Sequence, residues 1–397
     1  MGRRLIPVSP NHSTKSQTAG SPPADGEFSR RLFAVSTLRE TPEPSASLAE
    51  NVTRIQPGQP EQHANSETGS VDACLAWLDD ESAPGFAAPI AHPIRAHLRH
   101  SKQVLAVELP DGNATGEELS RWAIDANALL IAADYRVLDP TGRLLLDRDA
   151  NGPDAEAVIP FPVESRQRKA NVAVQLNNRL IDPVDGVLPI RSSLEVEIRS
   201  PANVARRAIA TFLIATRAES ILSGRVIDAD RMRERCPIGY EAMTPRERAF
   251  FDAEVSPATQ GGLAQAASEL VWRYEALATL QWALDMQFEL PWPDERADLT
   301  SMTRLMIDLP DDAIVEQARL RGTAELLDAA ELHYQSLHAI IASEQTGKDV
   351  SKVLDPGVVC ERLIALGWVC GLIGETPADA IDDWDATSEW VERGCPI

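Results

Sequence analysis

Apolar residues follow no regular spacing over the first quarter of the chain. Residues 1–94 are rich in serine, proline, glycine, glutamate and glutamine, and they contain eleven of the 28 prolines. A segment of this composition buries too little apolar surface to offset the conformational entropy lost on folding. The pattern therefore predicts a disordered tail over residues 1–94, interrupted by short helical islands.

Two apolar islands lie within this predicted tail. The first, residues 28–38, carries the pair Arg30-Arg31, and the second, residues 71–78, has apolar residues at helical spacing. An amphipathic segment of this kind binds a groove on a partner or docks on its own domain. The sequence leaves both interpretations open.

The spacing of apolar residues changes after residue 94. The pattern predicts a strand at residues 103–109, a helix at residues 115–133 and a hairpin at residues 135–147. The hairpin turns at Asp139-Pro140-Thr141-Gly142, a sequence typical of tight turns. Together these elements predict a small β-α-β-β module over residues 95–163.

The remainder of the chain is predicted to be helical after a connector at residues 164–199. Ser200-Pro201 combines a helix cap with a first-turn proline, and it predicts a long helix that ends near residue 223. That helix is apolar on nearly all sides, which predicts a central, enclosed position. Further helices of this domain, residues 200–397, are predicted at residues 245–252, 262–286, 311–321, 323–343 and 356–372.

The predicted fold class is therefore α+β. It consists of a mainly α-helical C-terminal domain preceded by the small β-α-β-β module and the disordered N-terminal tail. With 397 residues, of which 44% are apolar, the chain is long enough for two modest domains and a substantial core.

Charge narrows the classes of partner. The chain has 38 lysines and arginines against 60 aspartates and glutamates, a formal net charge of -22. The phosphates of a nucleic acid need a basic surface, so the charge argues against nucleic acid and favours a protein partner with a basic surface. No apolar run is long enough to cross a membrane or to form a secretory signal, so we expect a cytoplasmic protein without a membrane partner.

The sequence contains no familiar catalytic, cofactor or metal signature. Nucleophile elbows, zinc-protease motifs, dinucleotide-binding loops and phosphate loops are all missing, so no catalytic residue and no cofactor is predicted. The five cysteines are odd in number and scattered, which argues against a disulfide framework and against a zinc knuckle. His92, His97 and His100 lie close in sequence but lack further ligands, so no metal site is predicted.

Charged residues on otherwise apolar helix faces are the best candidates for a site. A buried guanidinium or carboxylate needs a partner, so we expect these groups to meet between helices. One interpretation is a salt-bridge network that fixes helix register. The other is a pocket with Glu275 or Glu361 as base, His333 as acid or base, and an arginine that holds an anionic substrate. The candidate residues are Arg206, Arg217, Arg273, Glu275, His333, Glu361 and Arg362.

Several short segments of the helical half resemble a bacterial family known as domain of unknown function 4272. The segments that carry the resemblance are Leu188-Pro189-Ile190, Val204-Ala205-Arg206-Arg207-Ala208, Trp272-Arg273-Tyr274-Glu275-Ala276, Leu332-His333-Tyr334 and Gly357-Val358-Val359-Cys360-Glu361-Arg362. The resemblance covers roughly residues 166–384. It implies no activity, cofactor or catalytic residue. Relatives tend to have histidine and asparagine where this chain has Leu363 and Gly367.

Two functions are compatible with these observations. The leading hypothesis is a non-enzymatic cytoplasmic interaction or regulatory protein that holds a basic protein partner. The alternative is an enzyme that uses the Glu/Arg/His cluster between helices on a small anionic substrate. A closed, dry cluster favours the first hypothesis, whereas an open pocket lined by these side chains favours the second.

Overall fold

The computed structural model describes residues 31–55, 68–80, 89–108, 116–132, 134–149, 151–348, 350, 352–373 and 383–395. Within these ranges an antiparallel sheet region, residues 31–159, precedes a helical region, residues 163–395. The predicted α+β class, with a mainly helical C-terminal part, is confirmed.

The sheet region alternates short helices with strands. Its strands are β1 (Arg31–Ser36), β2 (Val52–Ile55), β3 (Gln103–Glu108), β4 (Ala128–Ala132), β5 (Val137–Leu138) and β6 (Leu144–Leu146). Its helices are α1 (Ala46–Ala49), α2 (Thr68–Asp79), α3 (Ala91–Arg99) and α4 (Glu117–Asp125).

The described strands form one sheet in the order β2-β3-β1-β4-β5-β6, with every pair antiparallel. β1 lies in the middle, where Phe33 is opposite Ala106 on one side and Ile131 on the other. Both faces of the sheet are covered. Phe33 and its neighbours pack against α2 and α3, whereas Ala34 on the opposite face packs with residues of α4.

The tail prediction was wrong for residues 31–55, because β1 and β2 belong to the sheet. β1 was missed because a strand with both faces buried has consecutive apolar residues instead of an alternating pattern. The island at residues 71–78 lies in α2 and docks on its own sheet, with Cys74 and Leu78 fully buried. The tail prediction for residues 1–30, 56–67 and 81–88 falls outside the described residues.

The β-α-β-β module is larger than predicted. The strand at residues 103–108 and the hairpin of β5 and β6 are confirmed, but the predicted helix ends at Asp125 and β4 follows it. Asn127, with φ of 47°, reverses the chain between them. The apolar run of β4 fits a buried strand as well as a buried helix, so pattern alone could not separate the two.

The helical region is built around one long buried helix. Its helices are α5 (Val163–Asn177), α6 (Pro201–Leu222), α7 (Ala229–Arg235), α8 (Pro237–Glu241), α9 (Pro245–Phe251), α10 (Gln260–Leu270), α11 (Arg273–Ala283), α12 (Leu299–Asp308), α13 (Asp311–Glu316), α14 (Thr323–Thr346), α15 (Pro356–Val369) and α16 (Asp383–Glu392). α6 begins at the predicted Ser200 cap, whose side chain accepts a hydrogen bond from the backbone of Asn203. Its predicted central position is confirmed, because α8, α10, α11 and α13 all pack against it.

Three predictions for this region were wrong in detail. The helix predicted at residues 311–321 ends at Glu316, the last residue of α13. Residues 164–199 are not all connector, since α5 occupies their first part. Two of the four buried positions of α5 are Ser165 and Arg168, so its apolar periodicity is weak. The helix predicted at residues 262–286 is two helices that separate at residues 271–272. There the ring of Trp272 packs so closely on Gly357 that a Cβ atom at Gly357 would lie 2.6 Å away.

None of the helices in the described ranges has both the length and the apolar character needed to cross a bilayer.

Candidate functional site

Two ion pairs connect α11 to α15. Arg273 and Glu275 lie in the first turn of α11, and Glu361 and Arg362 are consecutive residues of α15. Arg273 pairs with Glu361 at 2.9 Å, and Arg362 pairs with Glu275 at 3.0 Å. Four of the seven candidate residues are therefore brought together as two separate pairs.

The Glu275–Arg362 pair is fully enclosed. The Arg362 side chain is 0% exposed and that of Glu275 is 5% exposed. Arg362 also donates to the carbonyls of Pro291 and Glu295, while the second oxygen of Glu275 accepts from the Ala297 N–H at 2.8 Å. Burial lowers the pKa of Arg362, and the charge of Glu275 opposes this shift. The pair thus fastens the loop after α11 to both helices.

The Arg273–Glu361 pair faces α16. Arg273 donates to Ser388 Oγ at 3.1 Å, and its guanidinium lies 5.6 Å from the centre of the Trp384 ring. Burial raises the pKa of Glu361, although the charge of Arg273 acts in the opposite direction. This pair links α11, α15 and α16, and its side chains are only 11% and 14% exposed.

His333 is a buried neutral residue of α14. Its Nδ1–H donates to the carbonyl of Ala329 at 2.8 Å, and its Nε2 atom is buried without a hydrogen-bond partner among the described residues. Burial, and then the charge of Arg362, lower its pKa to about 3. His333 is therefore close to the Glu275–Arg362 pair, but it is enclosed and uncharged at neutral pH.

Arg217 does not join these pairs. It donates to the carbonyl of Ile227 and, at 3.1 Å, to the carbonyl of Ala253. Burial lowers its pKa, and the nearby carboxylates of Asp228 and Asp252 oppose the shift. Arg217 therefore fastens the segments that follow α6 and α9 to the central helix.

Arg206 also lies elsewhere. It is exposed and lines a recess beside Arg199, Arg207 and Trp368, with an empty volume of about 840 Å³. Arg206 makes no hydrogen bond or ion pair with the residues that the structure describes. The predicted grouping of Arg206 and Arg217 with the other candidates was therefore wrong, because helical spacing predicts a face but not the partner packed on it.

Two further buried pairs were missed. Arg207 donates to both oxygens of Glu247 at 2.7 and 2.6 Å, and Arg199 pairs with Asp383 at 2.9 Å. One signal for Glu247 was present in the sequence, since Thr244 and Glu247 form a capping box at the start of α9. For Asp383 there was no comparable signal.

This chain departs from the family pattern at two positions, Leu363 and Gly367. Leu363 is fully buried in the helical core. A Cβ atom at Gly367 would lie 3.3 Å from Thr387 Cγ2, so the missing side chain leaves room for α16. The structure therefore fills these two places with packing.

A separate cleft lies between the sheet region and the helical region. It has an empty volume of about 630 Å³ and combines apolar walls with a few polar groups. Residues that follow β1, residues of α3, the segment 188–195, α14 and α16 contribute to it. The polar and aromatic side chains discussed below are His97, His100, Arg191, Glu195, Tyr334 and Trp390.

The histidines of the cleft are neutral. His97 donates from Nε2 to the carbonyl of Val35 at 2.9 Å, and burial lowers its pKa to about 4. Burial, and then the charge of Arg191, lower the pKa of His100 to about 3. The imidazole of His100 makes no hydrogen bond with any described residue.

The segment that carries Arg191 is held by a buried carboxylate on α14. Glu331 accepts from the Ile190 N–H at 2.9 Å and from the Gln335 amide at 2.7 Å, and it is 0% exposed. Burial raises its pKa to about 7, although the Gln335 and Ile190 donors and the charge of Arg168 act in the opposite direction. Glu331 thus determines where Arg191 lies without lining the cleft itself.

Within the described ranges, no three histidine, cysteine, aspartate or glutamate side chains are grouped so that they could hold a metal ion. His92, His97 and His100 therefore do not form such a group.

Comparison with known proteins adds the family. Searches of curated proteins and of solved structures gave no match. The family model described as Domain of unknown function (DUF4272) matches residues 168–387, which include α6, α11, α14 and α15 with both of their ion pairs. Since this match spans more than half of the 397 residues, the chain belongs to the family Domain of unknown function (DUF4272).

Proposed function

We propose that this protein is a non-enzymatic interaction or regulatory protein of the bacterial cytoplasm. The observation that carries the proposal is the closed state of the two pairs between α11 and α15. Glu275 is 5% exposed and Glu361 is 14% exposed, and each carboxylate accepts from an arginine. A catalytic base must reach the proton that it removes, and these carboxylates are engaged in structural contacts.

The partner that fits the chain best is a protein with a basic surface. Residues 1–70 have equal numbers of acidic and basic side chains, so the whole excess of 22 negative charges lies beyond Ser70. An acidic surface of this kind attracts a basic partner over several ångströms and repels nucleic acid and anionic membranes. Neither of those is proposed as a partner.

The test has a binding arm. The full chain is immobilised and exposed at low salt to extract of its native cell, and bound protein is eluted with rising salt. We expect a basic protein to elute and, once purified, to bind at a fixed stoichiometry with an affinity that falls as salt rises. Failure to obtain any saturable partner, or a partner whose affinity is independent of salt, contradicts the proposal.

A second arm separates this proposal from the enzyme alternative. In a structural pair, Glu361→Gln leaves Arg273 buried without its counter-charge and lowers the free energy of unfolding by roughly 3 to 5 kcal/mol. In a catalytic pocket the same change would leave the melting temperature unaltered and abolish turnover of a small anionic compound. The enzyme alternative has less support, because Glu361 is engaged by Arg273 and His333 is enclosed and neutral.

A further inference from the structure

The cleft between the two regions contains a cation, Arg191, that forms no ion pair with a described residue. Arg191 donates from Nη2 to the carbonyl of Gly371 at 2.8 Å, and its four other N–H groups make no hydrogen bond or ion pair with the described residues. Burial lowers the pKa of Arg191, the nearby charge of Glu195 opposes this shift, and the guanidinium stays charged at neutral pH. A partly desolvated guanidinium with free donors favours a bound anion.

Two neutral polar groups line the same cleft. The imidazole of His100 has no hydrogen-bond partner in the described chain and is uncharged because of its burial and the proximity of Arg191. Tyr334 is 3% exposed, and its hydroxyl makes no hydrogen bond with the described residues. Both side chains have donors to offer, and neither is engaged in holding the fold together through hydrogen bonds.

The walls between these groups are apolar and partly aromatic. Phe161, Leu188, Leu372 and Trp390 are among the residues that line it. The empty volume of about 630 Å³ includes the part of the cleft that is open to solvent. A ligand that fills this space therefore needs an apolar body as well as an acidic group.

The cleft also contains one carboxylate, Glu195. It is 6% exposed, accepts from the Ser192 N–H at 2.6 Å, and lies beyond ion-pair distance of Arg191 in the described structure. Glu195 therefore leaves the donors of Arg191 free. Its negative charge opposes a second negative charge on a ligand, so a ligand with a single acidic group fits best.

We propose that this cleft binds a small organic anion that carries one acidic group on a flat apolar body. The acidic group lies against the guanidinium of Arg191 and the imidazole of His100, and the apolar body lies between Phe161 and Trp390. This site goes beyond the proposed function, because it is a small-molecule site that a partner-binding surface does not require.

The test uses naphthoate as the probe, with naphthyl phosphate and uncharged naphthalenemethanol for comparison, in isothermal titration calorimetry on the full chain. We expect naphthoate to bind saturably with a Kd of about 1 mM or tighter. Naphthalenemethanol should bind at least about tenfold more weakly, because it cannot form charge-assisted hydrogen bonds. Naphthyl phosphate should bind more weakly than naphthoate, because its second charge faces Glu195.

The variant Arg191→Met should weaken naphthoate binding by about tenfold or more and leave naphthalenemethanol binding unchanged. Arg206→Met is the matched control, since it removes an unpaired, exposed arginine of another recess, and it should change the Kd by less than about twofold. If Arg191→Met does not fold, His100→Gln replaces it, because the His100 side chain makes no hydrogen bond that the fold could lose.

The proposal is overturned if neither anion saturates at millimolar concentrations, or if folded Arg191→Met binds naphthoate as tightly as the unaltered chain. It is also overturned if the alcohol binds as tightly as naphthoate, or if Arg206→Met weakens binding as much as Arg191→Met. Stronger binding of naphthyl phosphate than of naphthoate would overturn the preference for a single charge. None of these results bears on capture of a basic protein partner, so the two proposals fail separately.

Discussion

The sheet region and the helical region bury polar groups in different ways. Both cores of the sheet region consist of apolar side chains, and its described residues contain no buried arginine. The described helical region buries arginines together with carboxylates. Its buried arginines are Arg168, Arg199, Arg207, Arg217 and Arg362.

The difference follows from the backbone. In the sheet, the N–H and C=O groups of β1 are paired by the strands on either side. The helical region has many helix ends and irregular loops, whose carbonyls need other donors. Arg362 donates to the carbonyls of residues 291 and 295. Arg217 donates to those of residues 227 and 253, and Arg321 donates to those of residues 282, 287 and 288.

These arginines therefore fasten loops as well as balance the charge of buried carboxylates. A guanidinium has five N–H donors in a rigid plane, so it can bind a carboxylate on one edge and loop carbonyls on another. The carboxylate offsets the free energy that burial of the cation costs. The carbonyls receive hydrogen bonds from the guanidinium instead of from water. An apolar replacement of such a pair would therefore release the loop.

The variant Arg362→Met should produce the largest loss. It leaves Glu275 buried without a counter-charge, and we expect the free energy of unfolding in urea to fall by about 3–5 kcal/mol. The control is Arg304→Met, because Arg304 pairs with Asp308 at the surface, with side chains 79% and 62% exposed. That change should cost less than about 1 kcal/mol. Equal effects in the two variants would remove the distinction between buried and surface arginines.

Adding Glu275→Leu to Arg362→Met sharpens the same point. If the pair only balances charge, the double variant should regain most of the stability, because well-packed apolar residues can replace a buried pair. If Arg362 also fastens the loop, the carbonyls of Pro291 and Glu295 stay without donors. We expect only partial recovery, with at least about 1 kcal/mol still missing.

The stability of the sheet region should depend on apolar packing about as strongly as that of the helical region depends on the Glu275–Arg362 pair. Phe33 of β1 is 5% exposed, and we expect Phe33→Ala to lower the free energy of unfolding by about 3–5 kcal/mol. Phe288 is 89% exposed, so Phe288→Ala is the matched control and should change little. Circular dichroism with urea denaturation measures both. A Phe33→Ala variant as stable as the control would argue that β1 is not part of the folded sheet.

Glu331 predicts a pH dependence located in the helical region. Its folded pKa of about 7 lies above the ordinary value of 4.5, so its contribution is full below pH 4.5 and is lost as pH rises to about 7. The difference corresponds to about 3 kcal/mol. Relative to the unaltered chain, Glu331→Gln should therefore become more stable across this window, as followed by urea denaturation at each pH. A difference between the two chains that does not change with pH would contradict the shift.

In both regions, a buried histidine should make the folded chain less stable as pH falls, whereas Glu331 makes it less stable as pH rises. The folded pKa is about 4 for His97 in the sheet region and about 3 for His333 in the helical region, below the ordinary 6.5. Each histidine therefore lowers the free energy of unfolding as pH falls below 6.5, by about 2 kcal/mol at pH 5. Ring proton shifts in NMR spectra should show both neutral at pH 5. Titration of either ring near 6.5 would contradict its burial.

Much of the fold could be predicted because it has local signals. The Ser200 cap and proline determine the start of α6, and the Asp139 turn determines the hairpin. β1 has no such signal, since its neighbours come from residues 103–108 and 128–132 and only the folded sheet brings them together. α5 was missed for a related reason, because Arg168 occupies a buried position that periodicity treats as polar.

The site was predictable only in part. Helical spacing identified Arg273, Glu275, Glu361 and Arg362 as charges on apolar faces, but which arginine meets which carboxylate depends on how α11 and α15 cross. The cleft between the two regions could not be predicted from the sequence. Arg191 lies in a segment without regular structure, and its position depends on a hydrogen bond from Ile190 to Glu331, which is 141 residues away.

The smallest effect concerns a buried carboxylate of the sheet region. Asp139 is 2% exposed and has no ion pair with a described residue, yet it accepts backbone N–H bonds from Thr141, Arg143 and Val158 at 2.8, 3.0 and 3.2 Å. Turn amides therefore supply the compensation that arginine supplies in the helical region. We expect Asp139→Ala to cost about 1–2 kcal/mol in urea denaturation, since several amides lose an acceptor. Asp139→Asn should cost less, because one oxygen still accepts. If Asp139→Ala were instead as damaging as Arg362→Met, the division between regions would fail, because a carboxylate without a cation would then matter as much as a buried ion pair.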